Sequence, residues 1–229
     1  MNKRIAFCFL IGLSVQMSAQ NVWESPESLN KKEVVAEDNK QKDNETEEKT
    51  KKQKAEKPNP DAKYLEGAVP EVNGMVEWST QIKAPGKSAQ QLYDISLEYL
   101  KELTSRENQL EGSKIALVNR NEHKVVATIK EWIIFKKQVM SLDRTKLNYA
   151  LMFECQDNSV TVTMNRISFK YEEEREGGGY YKAEEWIADK YALNKKKTKL
   201  IPGSAKFRRK TVDRKDELFK EIEEYINKR

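Results

Sequence analysis

Few residues in this chain are of the types that make and break bonds, and their spacing decides little in favour of catalysis. His123 is the only histidine among 229 residues and stands in the polar run NRNEHK. A nucleophile such as Cys155 or a serine needs a base within hydrogen-bond reach, and nothing in the spacing brings His123 to one. His123 reads as an exposed turn residue. Cys155 lies in a strand-like run and reads as a small apolar packer. Zinc sites ask for several Cys or His ligands, which the chain does not offer. Glu172, Glu173 and Glu174 are hard oxygen donors, but they lack the spacing of a calcium loop and read as solvated charge. Gly177, Gly178 and Gly179 follow acids and lack the Gly-Lys-Ser/Thr ending of a phosphate loop, so they read as a hairpin tip. No catalytic residue, metal site or cofactor site is expected, and the chain is not expected to be an enzyme.

The one feature suited to ligand chemistry is KKKTKLIPGSAKFRRKTVDRK, residues 195–215, with ten basic residues against Asp213. The whole chain is only +5, so the remainder is acidic on balance. Lys195, Lys196, Lys197, Lys199, Lys206, Arg208, Arg209 and Lys210 are the candidate anion-binding residues. Their contacts to phosphate or sulfate would weaken steeply with salt. Arg208-Arg209 adds planar fork donors. The alternative is a solvated connector in which Leu200, Ile201 and Phe207 pack inward.

Which anion such a stripe meets depends on the first twenty residues, MNKRIAFCFLIGLSVQMSAQ. Lys3 and Arg4, an apolar core too short for a bilayer and the small exit residues Ser18-Ala19 form a secretory signal, 1–20. Its removal takes Cys8 and leaves Cys155 alone, so no internal disulfide is expected. Residues 21–63 are a Lys/Glu-rich tether whose low apolar content cannot offset an ordering entropy of roughly 1–2 kcal/mol per residue. No later segment is apolar for long enough to span a membrane as a helix. An exported chain meets periplasmic, cell-surface or extracellular components, which argues against nucleic acid and for an envelope protein, glycan or lipid as partner.

The elements that must position these groups occupy residues 64–229. Val76, Trp78, Thr80 and Ile82 alternate as a half-buried strand. Ser88 with Gln91 marks a capping box, and Leu92, Ile95, Tyr99 or Leu100, and Leu103 form one helical stripe. Four strands follow: residues 115–119, residues 125–135, the run through Leu147, Tyr149, Leu151, Phe153 and Cys155, and VTVTMNRISFKY. In the last, apolar parity jumps from Met164 to Ile167, which requires a bulge near Asn165-Arg166. Asn148, Glu154, Thr161, Thr163 and Asn165 fall on the opposite, wet face. A loop, a short helix in AEEWIADKYAL and the basic segment make an insertion at 172–212. A final helix is expected to be capped by Thr211 or Asp213 and to bury Leu218, Phe219, Ile222, Tyr225 and Ile226. The fold class is α+β, in the order β-α-β-β-β-β-α, an antiparallel sheet with two helices on one face.

Two stretches, VPEVNGMVEWSTQIKAPGKSAQQLYDISLEYL and EEWIADKYALNKKKTKLIPGSAKFRRKTVDRKDELF, together with the signal peptide, resemble the DUF4468 family of exported bacterial proteins. The resemblance covers residues 64–229 and implies a TATA-binding-protein-like (TBP-like) fold, export and no assigned chemistry. It transfers no site. The expected function is a non-catalytic binding module for an envelope partner or anionic ligand. The alternative is a carrier of an apolar small molecule held between sheet and helices by Trp132, Phe135, Tyr149 and Phe153; an enzyme of unknown class ranks below both.

Overall fold

The structure is a computed structural model that describes residues 59–138, 141–172 and 178–229. The signal peptide and nearly all of the tether, together with Glu173, Glu174 and Gly177 of the expected loop, lie outside the described residues.

Among the described residues, a turn of 3-10 helix at Ala62–Tyr64 precedes a small hairpin of β1 (Glu71–Val72) and β2 (Met75–Val76). Asn73 and Gly74 both take positive φ there, as a tight hairpin turn requires. The main sheet is built from β3 (Trp78–Lys83), β4 (Lys114–Asn119), β5 (Lys124–Gln138), β6 (Ser141–Gln156), β7 (Ser159–Tyr171) and β8 (Gly179–Lys182). Its order is β3-β7-β6-β5-β4, all antiparallel, with β8 pairing β7 beyond the end of β3. Helix α1 (Ala89–Thr104) leads from β3 to β4, and α4 (Pro202–Lys228) closes the chain. Both lie on one face: α1 packs against β4, β5, β6 and β7, α4 against β5 and β3, and the helices touch each other.

Local chemistry explains these elements. The Ser88 side chain accepts from the Gln91 backbone and the Gln91 side chain accepts from the Ser88 N–H, so the expected capping box starts α1. Val125, Ala127 and Ile129 alternate inward on β5, and Leu147, Tyr149, Leu151, Phe153 and Cys155 do so on β6. The expected bulge is present. Asn148 pairs Ser168 but Ala150 pairs Asn165, leaving one extra residue on β7, and Arg166 adopts φ +52. Without it, Ile167 and Phe169 would turn away from the core they fill.

Four features differ from the sequence expectation. The hairpin β1–β2 and strand β8 were not foreseen, because segments of two and four residues carry almost no periodicity. The expected single short helix is two, α2 (Ala183–Trp186) and α3 (Asp189–Ala192), separated at Ile187-Ala188. Most consequentially, the last helix starts at Pro202 and runs for 27 residues, nine before the expected cap at Thr211. Pro at the first helical position has no N–H to lose and a preset φ, so it starts the helix rather than breaking it.

Candidate functional site

The early start of α4 changes the meaning of the basic run. Residues 202–215 are helical, and the buried side of those turns is made of Ser204, Ala205, Phe207, Arg208, Thr211 and Val212. Phe207 sits edge-on to Phe135, Phe169, Tyr171 and Trp186, with ring centroids 4.7–5.7 Å away. That aromatic box fixes the rotation of α4 and thereby drives Arg208 inward.

Arg208 is 0% exposed. Its Nε donates to the Tyr64 carbonyl, Nη1 to the Ile187 carbonyl, and Nη2 to the Leu65 carbonyl and Asp189 Oδ1, each at 2.6 Å. The second Asp189 oxygen accepts from the Gly67 N–H at 2.9 Å. One guanidinium thus ties the segment before β1, the α2–α3 corner and α4 together. Four of its five N–H groups are taken up in this way and none of the side chain reaches the surface, which corrects the expectation of an anion-binding role for this residue. Arg209 forms a two-pronged pair with Asp61, Nε to Oδ1 and Nη2 to Oδ2 at 2.7 Å each. Lys206 donates to Asp143 Oδ2 and Tyr171 Oη, both at 2.8 Å, and lies over the Tyr171 and Phe135 rings. Lys197 pairs with Glu66 at 2.5 Å. Lys195, Lys196, Lys199 and Lys210 are exposed and scattered over the α3–α4 connection and the outer side of α4. The eight cations do not form one surface.

The other chemically suggestive residues are also in structural roles. Cys155 is buried, with Ser96 Oγ 3.6 Å from its sulfur, and burial pushes the thiol up to about 11. His123 is half-exposed in its turn at φ +51, with its ring 6.2 Å from Tyr93. Among the described residues no cluster of three or more His, Cys, Asp or Glu could hold a metal. Sequence reasoning missed one ionic centre. Glu131, 2% exposed on the helix-facing side of β5, accepts from Arg214 Nε at 2.8 Å, Arg214 Nη2 at 3.0 Å and Tyr149 Oη at 2.9 Å. Burial lifts the Tyr149 hydroxyl well above its ordinary range, and the Glu131 charge adds to that. For Arg214, burial acts to lower the guanidinium, but its bonds to Glu131, together with the charges of Glu131, Tyr149 and Tyr99, raise it on balance. The group is a closed pin between α4 and the sheet.

The lining expected for an apolar carrier does not assemble. Tyr149 and Phe153 point into the core with Val125, Ala127 and Ile129, whereas Trp132 has the opposite parity on β5 and lies on the open face. There its ring is covered by Arg144 at 3.7 Å and approached by Lys146 at 5.6 Å.

That open face is the best candidate site. A cavity of about 370 Å³ lies on it, lined by Leu110, Glu111, Lys130, Lys146, Asn148 and Lys170. Strand register explains the gathering. Lys130 pairs Asn148 across β5 and β6, and Lys146 pairs Lys170 across β6 and β7. The turn before β4 forms the cavity's wall. Gly112 takes φ +89, and a Cβ there would stand 2.5 Å from Lys130 Nζ, so only glycine lets that ammonium fold against the turn. A second cavity of about 350 Å³ on the same face is lined by Ala116, Leu117, Val126, Ala150, Met152, Asn165 and Arg166. The expected wet-face residues Asn148, Glu154, Thr161 and Asn165 are on this side and partly exposed, while Thr163 is covered and lies 3.2 Å from Ser79 Oγ. The lysines were legible from the same parity but were passed over, because they are separated in sequence and no run advertises them.

No helix among the described residues is long and apolar enough to cross a membrane. Nothing among curated proteins matches the chain. The family described as "Domain of unknown function (DUF4468) with TBP-like fold" matches residues 78–170, which span β3 to β7. A TBP-like protein from Parabacteroides distasonis of known crystal structure is similar in fold, with a TM-score of 0.56, 21% identity, and 69% of this chain and 97% of that one covered. The crystal structure of a DUF4468 family protein from Bacteroides ovatus is similar at 41% identity and a TM-score of 0.68, covering 73% of this chain and 95% of that one. With that identity over nearly the whole of the Bacteroides protein, the aromatic box, the six-stranded sheet and the two helices described above are those of a member of the DUF4468 family, to which this chain belongs.

Proposed function

We propose that this protein is an exported, non-catalytic binding module that holds an anionic component of the cell envelope on the open face of its sheet. The observation that carries the reading is the cavity in which Lys130, Lys146 and Lys170 converge beside Asn148, with Glu111 the carboxylate among the described lining residues. Three ammonium groups and one amide suit a phosphate, sulfate or carboxylate, with the lysines supplying charge and Asn148 a directed N–H. The basic run supports α4 instead, so anion binding is assigned to the sheet. Export rests on the composition of residues 1–20.

Co-sedimentation with phosphatidylglycerol vesicles tests the binding. Binding is expected to fall as salt rises and to be lost in the K130Q/K146Q/K170Q variant, while K195Q/K196Q/K199Q/K210Q keeps most of it. The reverse pattern would return the function to the basic run and overturn this assignment. Fractionation of cells making the full chain tests the address. Recovery outside the inner membrane without residues 1–20 is expected, and retention in the cytosol with an intact N-terminus would refute export.

A further inference from the structure

The β5–β6 ladder outruns the rest of the sheet. Among the described residues, β4 reaches no farther along β5 than Thr128, Gln109 bridges Glu131, and β7 ends at Tyr171, opposite Thr145 on β6. The pairs Ile134–Arg144, Lys136–Asp143, Lys137–Leu142 and Gln138–Ser141 therefore form a two-stranded arm with no strand neighbour on either edge. From Ile134 to Gln138 it extends roughly 13 Å. Its base is fixed on the helix side. Phe135, the extra residue of a bulge in β5, meets the Phe207 ring of α4 at 4.7 Å. Asp143 accepts from Lys206 Nζ at 2.8 Å and from Tyr171 Oη at 3.0 Å.

The other side of the arm mixes two kinds of residue. Trp132 and Ile134 share the parity of Lys130 on β5, and Leu142 and Arg144 that of Asn148 on β6, so all four lie on the open face. A solvated strand face ordinarily takes polar side chains, yet Ile134 is 45% exposed and Leu142 48%. Three cations surround them. Lys136, Lys137 and Arg144 are exposed, and among the described residues none of them forms an ion pair. The carboxylate opposite Lys136 is that of Asp143, and Lys206 holds it. Arg144 lies over the Trp132 ring, 3.7 Å from its centroid.

We propose that this arm docks the protein on an anionic lipid surface. Ile134 and Leu142 enter the boundary between head groups and acyl chains, Trp132 lies at head-group level, and Lys136, Lys137 and Arg144 meet lipid phosphates. Charge complementarity chooses the occupant. These three cations have no protein counter-charge among the described residues, and each cation near a negative membrane adds about fivefold in binding at low salt. A protein partner matches less well, because interface cores are depleted of lysine. Tryptophan and aliphatic residues flanked by lysine and arginine are the composition of a membrane boundary. The arm's reach exceeds the about 5–10 Å by which interfacial elements sink. Two aliphatic side chains, each nearly half exposed, together offer about one residue's worth of apolar surface, which is tenfold or more in affinity. The inference deepens the reading above by naming a lipid surface; it rests on that reading for an anionic envelope partner, but not for the cavity.

Phosphatidylglycerol vesicles, with and without bromine on the acyl chains, test this on the full chain. The difference in emission between the parent and Trp132→Phe isolates Trp132 from the other tryptophans. Brominated chains are expected to quench Trp132 in the bound protein. I134S/L142S keeps every charge and should bind about tenfold or more weakly, with a thermal melt to show that it folds. K136Q/K137Q should lose about fivefold per lysine at low salt, and serves where the first variant does not fold. Phosphatidylcholine vesicles should bind the parent more weakly than phosphatidylglycerol. Parent-like binding by I134S/L142S, an unquenched Trp132 in a bound chain, or equal affinity for the two lipids would overturn the arm. So would a dimer that I134S/L142S converts to monomer, since the arm would then be a contact between copies. Quenching that survives K130Q/K146Q/K170Q would support the arm and overturn the cavity. Binding lost in K130Q/K146Q/K170Q, with Trp132 unquenched in the parent, would do the reverse. Absence of vesicle binding would overturn the arm, and calorimetry with inorganic phosphate would then decide whether the anion site stands.

Discussion

Replacing Arg208 by Ala separates a structural cation from a ligand-binding one. In the native fold four of its five N–H groups meet three backbone carbonyls and the Asp189 carboxylate, all at 2.6 Å and away from water. Truncation leaves the carbonyls of Tyr64, Leu65 and Ile187 without this donor and Asp189 without its cation. Breaking a buried pair by removing one partner costs about 3–5 kcal/mol. Water entering the vacated space restores some of that, so about 4 kcal/mol is expected, a large part of the roughly 5–15 kcal/mol that holds a domain together. With a urea slope of about 2 kcal/mol per M, the midpoint should fall by about 2 M with an unchanged slope. Lys210→Gln, two residues along α4 and exposed, should shift stability by no more than about 0.5 kcal/mol. Arg208→Lys should rescue little, since one ammonium cannot reach acceptors arranged for a planar fork. If Arg208→Ala unfolded within about 1 kcal/mol of the parent, the guanidinium would not be the tie between these segments. The reasoning that removes it from the anion-binding set would then fail.

Other expectations follow from the same geometry. Ser88→Ala removes half of the capping box and should cost about 1 kcal/mol in denaturant unfolding; no loss would mean that α1 does not depend on its cap. Hydrogen bonds from Arg209 hold the Asp61 carboxyl below its ordinary value of 3.8. The stability this supplies is present above that value and is lost as pH falls through the lower folded value. Because the pair is partly exposed, the loss should be at most about 1 kcal/mol, and thermal melts of the parent and Arg209→Gln should converge as pH falls below 3.8. The Cys155 thiol, held up to about 11 by burial, contributes stability below its unfolded value that is lost as pH rises toward 11. Peptide mapping after brief iodoacetamide exposure at pH 8 should find Cys155 unmodified in the folded chain and modified in guanidinium; rapid native modification would contradict its burial.

The fold was legible where periodicity was long. Strands of thirteen to sixteen residues and the stripe of α1 declared themselves, and the skip from Met164 to Ile167 located a bulge before any coordinates. The start of α4 was not legible, because its inward stripe at 204, 207, 208, 211 and 212 contains a serine, an arginine and a threonine. An arginine in such a stripe looks like surface until the carbonyls that receive it are known, and those carbonyls come from segments 21 and more than 140 residues away in sequence. Pro202 was a usable signal, since a proline can open a helix as readily as end one.

The candidate site failed to declare itself for a related reason. A basic run is conspicuous because its charges are consecutive, yet consecutive residues on a helix point in different directions, and here they were apportioned to Glu66, Asp143, Asp189 and Asp61. Lys130, Lys146 and Lys170 are spread over 41 residues of sequence, and it is antiparallel register that brings them to one cavity. A strand alternates faces and a sheet aligns strands, so charges at matching parity on three neighbours concentrate where no local window shows a cluster. The same rule sets the apolar Ala150 one row, and Val126, Met152 and Leu117 two rows, from Lys130. A charge run in sequence therefore does not by itself mark one surface, whereas the parity of isolated lysines places them on one face once the strand order is known.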